Sequence, residues 1–262
     1  MTKKIRWMLL LAAIVLLLSA CKIRDANAGP DRLVKACKDT KMRFEKSYSQ
    51  IKLPDHLRRE NPVRLSSDFE IQPFLEGFEG IKVNENYKID YVYQYRNLGG
   101  RPLLYALYGK GLAYRTEKEF ESGKTVNFTN ALETDGSAKG FLQLAMIDQL
   151  APNFYLYFQG VKQDDVVLCN IDDIEKVLDN LDRMDNITKP NTIVVARALT
   201  MDNIEPSVTI DEKKHEVTTS FTTFTKWGGF YRTTLVFSTY FPHKLISTKK
   251  QLLIGYDCGI VF

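Results

Sequence analysis

The chain has 262 residues, of which 44% are hydrophobic, 11% aromatic and 26% charged, with a formal net charge of +4. That length suffices for one large domain or two small ones, and the aromatic content argues against a disordered polymer. Three of the 36 basic residues and no acidic residue fall in positions 1–20, so residues 21–262 carry 33 basic against 32 acidic side chains. With that balance and no basic block, a nucleic-acid partner is not expected.

The chain opens with Lys3, Lys4 and Arg6, followed by an apolar run over residues 7–18 and the ending Leu18-Ser19-Ala20-Cys21. A basic end, a short apolar segment and small residues before a cut are the parts of a secretory signal peptide. As a helix the apolar run reaches ~18 Å, well short of the ~30 Å hydrocarbon core, so a permanent transmembrane span is the weaker reading. The ending Leu-Ser-Ala-Cys resembles the lipobox of bacterial lipoproteins. The resemblance covers less than a tenth of the chain. It implies that residues 1–20 are removed, that the Cys21 thiol receives a diacylglyceryl group and that the new amine is acylated. One acyl chain holds a protein only marginally and a second makes anchoring stable, so lipidated Cys21 would attach the protein firmly to a membrane. In many Gram-negative lipoproteins, Asp directly after this cysteine retains the protein in the inner membrane. Lys22 stands there instead, which by the family rule points to the outer membrane, on its periplasmic face. An ordinary cleaved signal with a chance cysteine is the competing reading.

Residues 21–30 are polar and small and read as a tether. Residues 31–262 are expected to form a single α+β periplasmic domain. Residues 31–51 carry a thin helical stripe of Leu33, Val34, Cys37 and Phe44. Pro54 and Pro62 bracket a charged loop with His56, Arg58 and Arg59. Residues 66–86 supply Phe69, Ile71, Phe74, Leu75 and Phe78 to a core, but Pro73, Gly77 and Gly80 argue against a long helix. In residues 87–96 the alternation of Tyr87, Ile89, Tyr91, Tyr93 and Tyr95 predicts a strand. Residues 97–102 read as a turn and 103–108 as the returning strand. Further strands are expected over 112–120, 125–128, 154–158 and 165–169, with a helix over 137–150 stopped by Pro152. Residues 170–184 give the clearest helix. Ile171, Ile174, Val177, Leu178, Leu181 and Met184 recur at helical steps, Asn170 is placed to cap, and Asp172, Asp173 and Glu175 suit the first turn. From Thr192 onward the pattern predicts strands only, over 192–199, 207–210, 216–225, 230–241 and 245–256. Residues 216–262 should form a three- or four-strand antiparallel meander. The sum is an α+β fold: a predominantly antiparallel sheet packed by two or three helices, with a β-rich C-terminal part.

Four cysteines are present, Cys21, Cys37, Cys169 and Cys258. If Cys21 is lipidated, three remain in an oxidising compartment, enough for one disulfide. The expected pair is Cys169 with Cys258, because both adjoin strand-like runs; three reduced thiols are the alternative. His56, His215 and His243 are far apart and lack the spacing of a metal site, so neither a metal nor another cofactor is expected. The acids between 164 and 185 lack the glycine of a calcium loop and read as a solvated helix face. Hydrolase, β-lactamase and phosphate-loop motifs are missing, and no catalytic residue is singled out. The alternation of Tyr256, Cys258, Ile260 and Phe262 resembles the closing strand of an outer-membrane barrel, but the helices and scattered charges favour a soluble sheet.

Three functions stay open on this reading. The first is a non-enzymatic lipoprotein that binds or scaffolds a protein partner in the cell envelope. The second is a carrier whose sheet encloses an apolar cavity, and the third an anchored hydrolase without a local motif. A filled core with an exposed apolar patch favours the first, a large apolar cavity the second, and a cleft joining perturbed acids to a histidine the third.

Overall fold

The computed structural model describes residues 29–96, 99–109, 111–157 and 165–259. The predicted signal peptide, Cys21 and nearly all of the tether lie outside the described residues, as do Ile260 and Phe262 at the end of the terminal alternation. The described residues form an α+β fold with all strand pairs antiparallel. In chain order the elements are α1 (Pro30–Gln50), α2 (Ile71–Leu75), β1 (Ile81–Val83), β2 (Tyr87–Arg96), β3 (Gly99–Tyr108), α3 (Glu117–Ser122), β4 (Leu132–Thr134), α4 (Ala138–Leu150), β5 (Val166–Leu168), α5 (Ile171–Arg183), α6 (Thr192–Leu199), β6 (Ser207–Asp211), β7 (Glu216–Thr225), β8 (Gly229–Ser238) and β9 (Leu245–Gly255).

α4 is the central helix. Gly140 and residues 141–147 are all buried, so its middle has no solvent face. Ser137 starts it by accepting the Gly140 N–H at 3.0 Å. A Cβ on Gly140 would lie 3.1 Å from the Gly80 carbonyl oxygen, so glycine lets the first turn of α4 approach the turn before β1. α1 packs on α4 through Leu33, Ala36, Cys37, Thr40 and Phe44, a seam at three- and four-residue steps. Asp31 in its first turn and a proline at its start suit a helix N-terminus.

The C-terminal sheet has five strands in the order β5-β7-β8-β9, with β6 also paired to β7. β6 pairs with Glu216 to Ser220 and β5 with Thr222 to Phe224, so the two short strands lie end to end along one edge. The predicted meander is present as β7, β8 and β9. Period-two alternation sends β7 and β8 side chains to two cores. Val217, Phe221, Leu235 and Phe237 join α1, α4 and β2 in the main core. Phe224, Phe230 and Ile254 join Ile174, Val177 and Leu181 of α5 in a second.

Several expectations need correction. Residues 192–199 form a helix, not a strand. Their Thr, Ile and Val suggested β structure, but Asn191 caps the segment by accepting the Val194 N–H at 3.0 Å, and burial of Ala198 in the second core holds it. Tertiary packing there overrides a weak propensity. Residues 117–122 are helical too, started by a capping box between Thr116 and Glu119. The returning strand of the first hairpin begins at Gly99, inside the predicted turn. Residues 125–128 and 154–157 contribute only single bridges, Ala106 with Val126 and Gly100 with Tyr157, and Phe158 lies outside the described residues. Asn170 makes no side-chain cap at α5; the Asp173 carboxylate instead accepts the Cys169 N–H at 2.9 Å.

The disulfide also differs from expectation. Cys169 pairs with Cys37, Cα to Cα 5.7 Å, and Cys258 is a free buried thiol. The reason is which core each side chain enters. Cys37 and Cys169 both belong to the main core, whereas Cys258 belongs to the second. Two ion pairs tie the middle of α1 to the start of α5 beside the disulfide, Lys38 to Asp172 at 3.3 Å and Lys41 to Asp173 at 3.2 Å.

Candidate functional site

Two features stand out once the fold is in place: an exposed aromatic surface and a cleft with a buried arginine. The aromatic surface is built from connections. Tyr87 starts β2 and Tyr108 ends β3, so hairpin register sets them opposite each other, with ring centroids 5.4 Å apart. Phe241, in the connection between β8 and β9, lies 6.1 Å from Tyr87. Its neighbour Tyr240 lies 4.8 Å from His215, which turns the chain between β6 and β7 with φ of 57°. Tyr108 is 73% exposed, Tyr240 62% and Phe241 37%. Large rings clustered in water mark an interaction surface more often than rings scattered singly do.

This surface is held from beneath by His243. The His243 ring is buried against Phe141 of α4, centroids 5.1 Å apart. Its Nδ1 lies 3.0 Å from the Ser238 carbonyl oxygen, and its Nε2 accepts the Thr134 N–H at 3.2 Å. These partners require a neutral ring protonated on Nδ1. Burial accordingly pushes its pKa down, against the hydrogen bond to Ser238 and the charge of Glu133.

His56 has a different setting. Its Nε2 is 3.0 Å from Asp68, whose carboxylate also accepts the Leu65 N–H at 2.7 Å. No hydroxyl or thiol is hydrogen-bonded to His56 among the described residues, so an Asp–His pair is present without a nucleophile. No cluster of His, Cys, Asp and Glu suited to a metal occurs among the described residues. His215 and His243 both border the aromatic surface, whereas His56 lies with Asp68.

The cleft has a volume of about 840 Å³ and lies between α2, the start of β2 and residues 112–115. Arg64 forms part of its floor. The Arg64 N–H donates to the Arg115 carbonyl at 2.8 Å, which fixes the residue against that wall. Its side chain is only 10% exposed, with Nη2 3.1 Å from Asp90 and the guanidinium carbon 4.7 Å from the Tyr91 ring centroid. Arg64 Nε and Tyr91 Oη are both buried without a hydrogen-bond partner among the described residues. Burial raises the Asp90 carboxyl pKa despite the opposing charges of Arg64 and Lys88, and it also raises the Tyr91 hydroxyl pKa. Sequence reading singled out neither Arg64 nor Asp90. The one available signal was an acid in the middle of the β2 alternation.

The inward-facing aromatic side chains of the two long hairpins are packed rather than set around a cavity. Tyr91, Tyr93, Phe221, Phe230 and Phe237 are fully buried in the cores. No family model, curated protein or solved structure matches the chain.

Proposed function

We propose that the protein is a bacterial lipoprotein, anchored through Cys21 at the periplasmic face of the outer membrane, whose folded body binds an envelope protein. The anchor rests on the residues Leu18-Ser19-Ala20-Cys21 and the basic, apolar stretch before them. The observation that carries the binding role is the exposed surface of Tyr108, Tyr240 and Phe241 over a filled core. Tyrosine and phenylalanine bury much area at little entropic expense and are enriched at protein interfaces. The packed hairpin aromatics support this reading over an apolar carrier. That no hydroxyl or thiol is hydrogen-bonded to His56 among the described residues supports it over a hydrolase.

Both parts can be tested. Metabolic labelling with a fatty acid should mark the protein and leave Cys21→Ser unmarked; equal label on both would sink the anchor. A photo-crosslinking residue at position 240 should capture a discrete envelope protein, and Tyr108→Ser should suppress that product. The same probe at Glu45, on an exposed part of α1, is the control. Identical products from both positions would remove the aromatic surface from the account.

A further inference from the structure

The cleft beside Arg64 is separate from the aromatic surface, and its floor is chemically incomplete. A guanidinium has five N–H donors and stays charged when buried, so it demands acceptors on several sides. Arg64 faces one buried carboxylate, Asp90, and leaves Nε without a partner among the described residues. Removing such a charge from water is costly unless its remaining protons are matched. At the rim, the Arg115 guanidinium and the Glu70 carboxylate are exposed, and neither has an ion-pair partner among the described residues. The other rim acids are engaged. Glu119 accepts the Arg115 and Thr116 N–H groups, and Glu76 accepts from Gln72. Free charges of both signs thus border one space, with an under-satisfied cation at its base. Exposed Leu112 adds an apolar edge.

We propose that this cleft binds a short peptide with free ends, its carboxylate held by Arg64 and its ammonium by Glu70. Nε is sealed in the present arrangement, so an incoming carboxylate takes the fork of Arg64 as the side chain turns from Asp90 toward the cleft, and supplies the acceptors that Asp90 leaves wanting. Lys88, 3.9 Å from Asp90, keeps that acid partnered when Arg64 turns toward the ligand. An ammonium group satisfies Glu70. The volume suits several residues rather than one, so a free amino acid would leave most of the cleft empty. Partner binding by the aromatic surface is not needed for this assignment.

Calorimetric titration of the full chain with trialanine and trileucine tests it. At least one peptide should bind. Capping its amine with acetyl, or its carboxyl as the amide, should weaken binding tenfold or more, and free alanine or leucine should bind far more weakly. Arg64→Met should abolish binding. Glu70→Gln, an exposed change that does not threaten folding, should bind free and acetylated peptide alike, with the acetylated peptide bound as by the unsubstituted protein. Absence of heat with both peptides would overturn the proposal. So would a Glu70→Gln protein that still prefers the free amine, or a free amino acid that binds as tightly as the peptide.

Discussion

His243 and Arg64 are both buried and both able to carry charge, yet their surroundings are opposite in kind. His243 has each ring nitrogen matched, one to the Ser238 carbonyl and one to the Thr134 N–H. Arg64 has one carboxylate beside it and an unmatched Nε. A matched buried group fixes a loop in place and contributes to folding. An unmatched one burdens the fold and persists where it meets something from outside. The difference separates a support, the one beneath the aromatic surface, from a site, the one in the cleft.

That comparison presumes a frame rigid enough to hold both groups, and the frame can be broken first. Replacing Cys37 and Cys169 together by Ala opens a loop spanning 132 residues. In the chain-entropy model that removes about 5 kcal/mol, before any native strain is counted. Denaturant unfolding should show the loss, and Cys258→Ala should show little of it, because that thiol is unpaired. A smaller loss follows from charging the sheet: Leu235→Asp places an unpaired carboxylate in the main core and should destabilise by roughly 4 kcal/mol. Neither change distinguishes support from site, and each should perturb both.

Sharper tests act on one group at a time. His243→Ala leaves the Thr134 N–H without its acceptor and should lower stability by about 1–3 kcal/mol. The pH dependence has a defined sign. The folded pKa of His243 is depressed below its ordinary value of 6.5, so folding favours the neutral ring. Its contribution is complete above 6.5 and fades as pH falls below 6.5 toward the folded value. The stability difference between the unsubstituted protein and His243→Ala should therefore shrink between pH 7 and pH 5. A constant difference would contradict a neutral, doubly bonded ring.

How much of this was legible in the sequence depends on how far local pattern and tertiary context agree. β7, β8 and β9 sit near their predicted bounds, because runs of β-branched and aromatic residues between short turns mark them even where burial does not alternate, as along the exposed β9. α5 was equally plain, with Ile174, Val177 and Leu181 on one face. Residues 192–199 misled, since β-branched side chains say strand while a cap and a packing partner make a helix. The disulfide misled because closeness of Cys169 and Cys258 to strands says nothing of which core each enters. The aromatic residues were visible, but their exposure was not: Tyr91 and Tyr108 look alike in sequence and end up buried and exposed. Asp90 carried the faint trace of the cleft. An acid in a strand whose centre is buried on both faces needs a buried cation, and Arg64 lies too far along the chain to be paired with it by spacing.

The most direct measurement of the central contrast is the melting temperature of the double variant Arg64→Met/Asp90→Asn beside that of His243→Ala, both in the absence of peptide. Replacing the under-satisfied ion pair by uncharged side chains of similar size should leave the midpoint unchanged or raise it, since such pairs are often no better than neutral packing. His243→Ala should lower it. If the Arg64 and Asp90 variant instead melts as far below the unsubstituted protein as His243→Ala does, Arg64 is a structural support like His243 and the contrast between them is wrong.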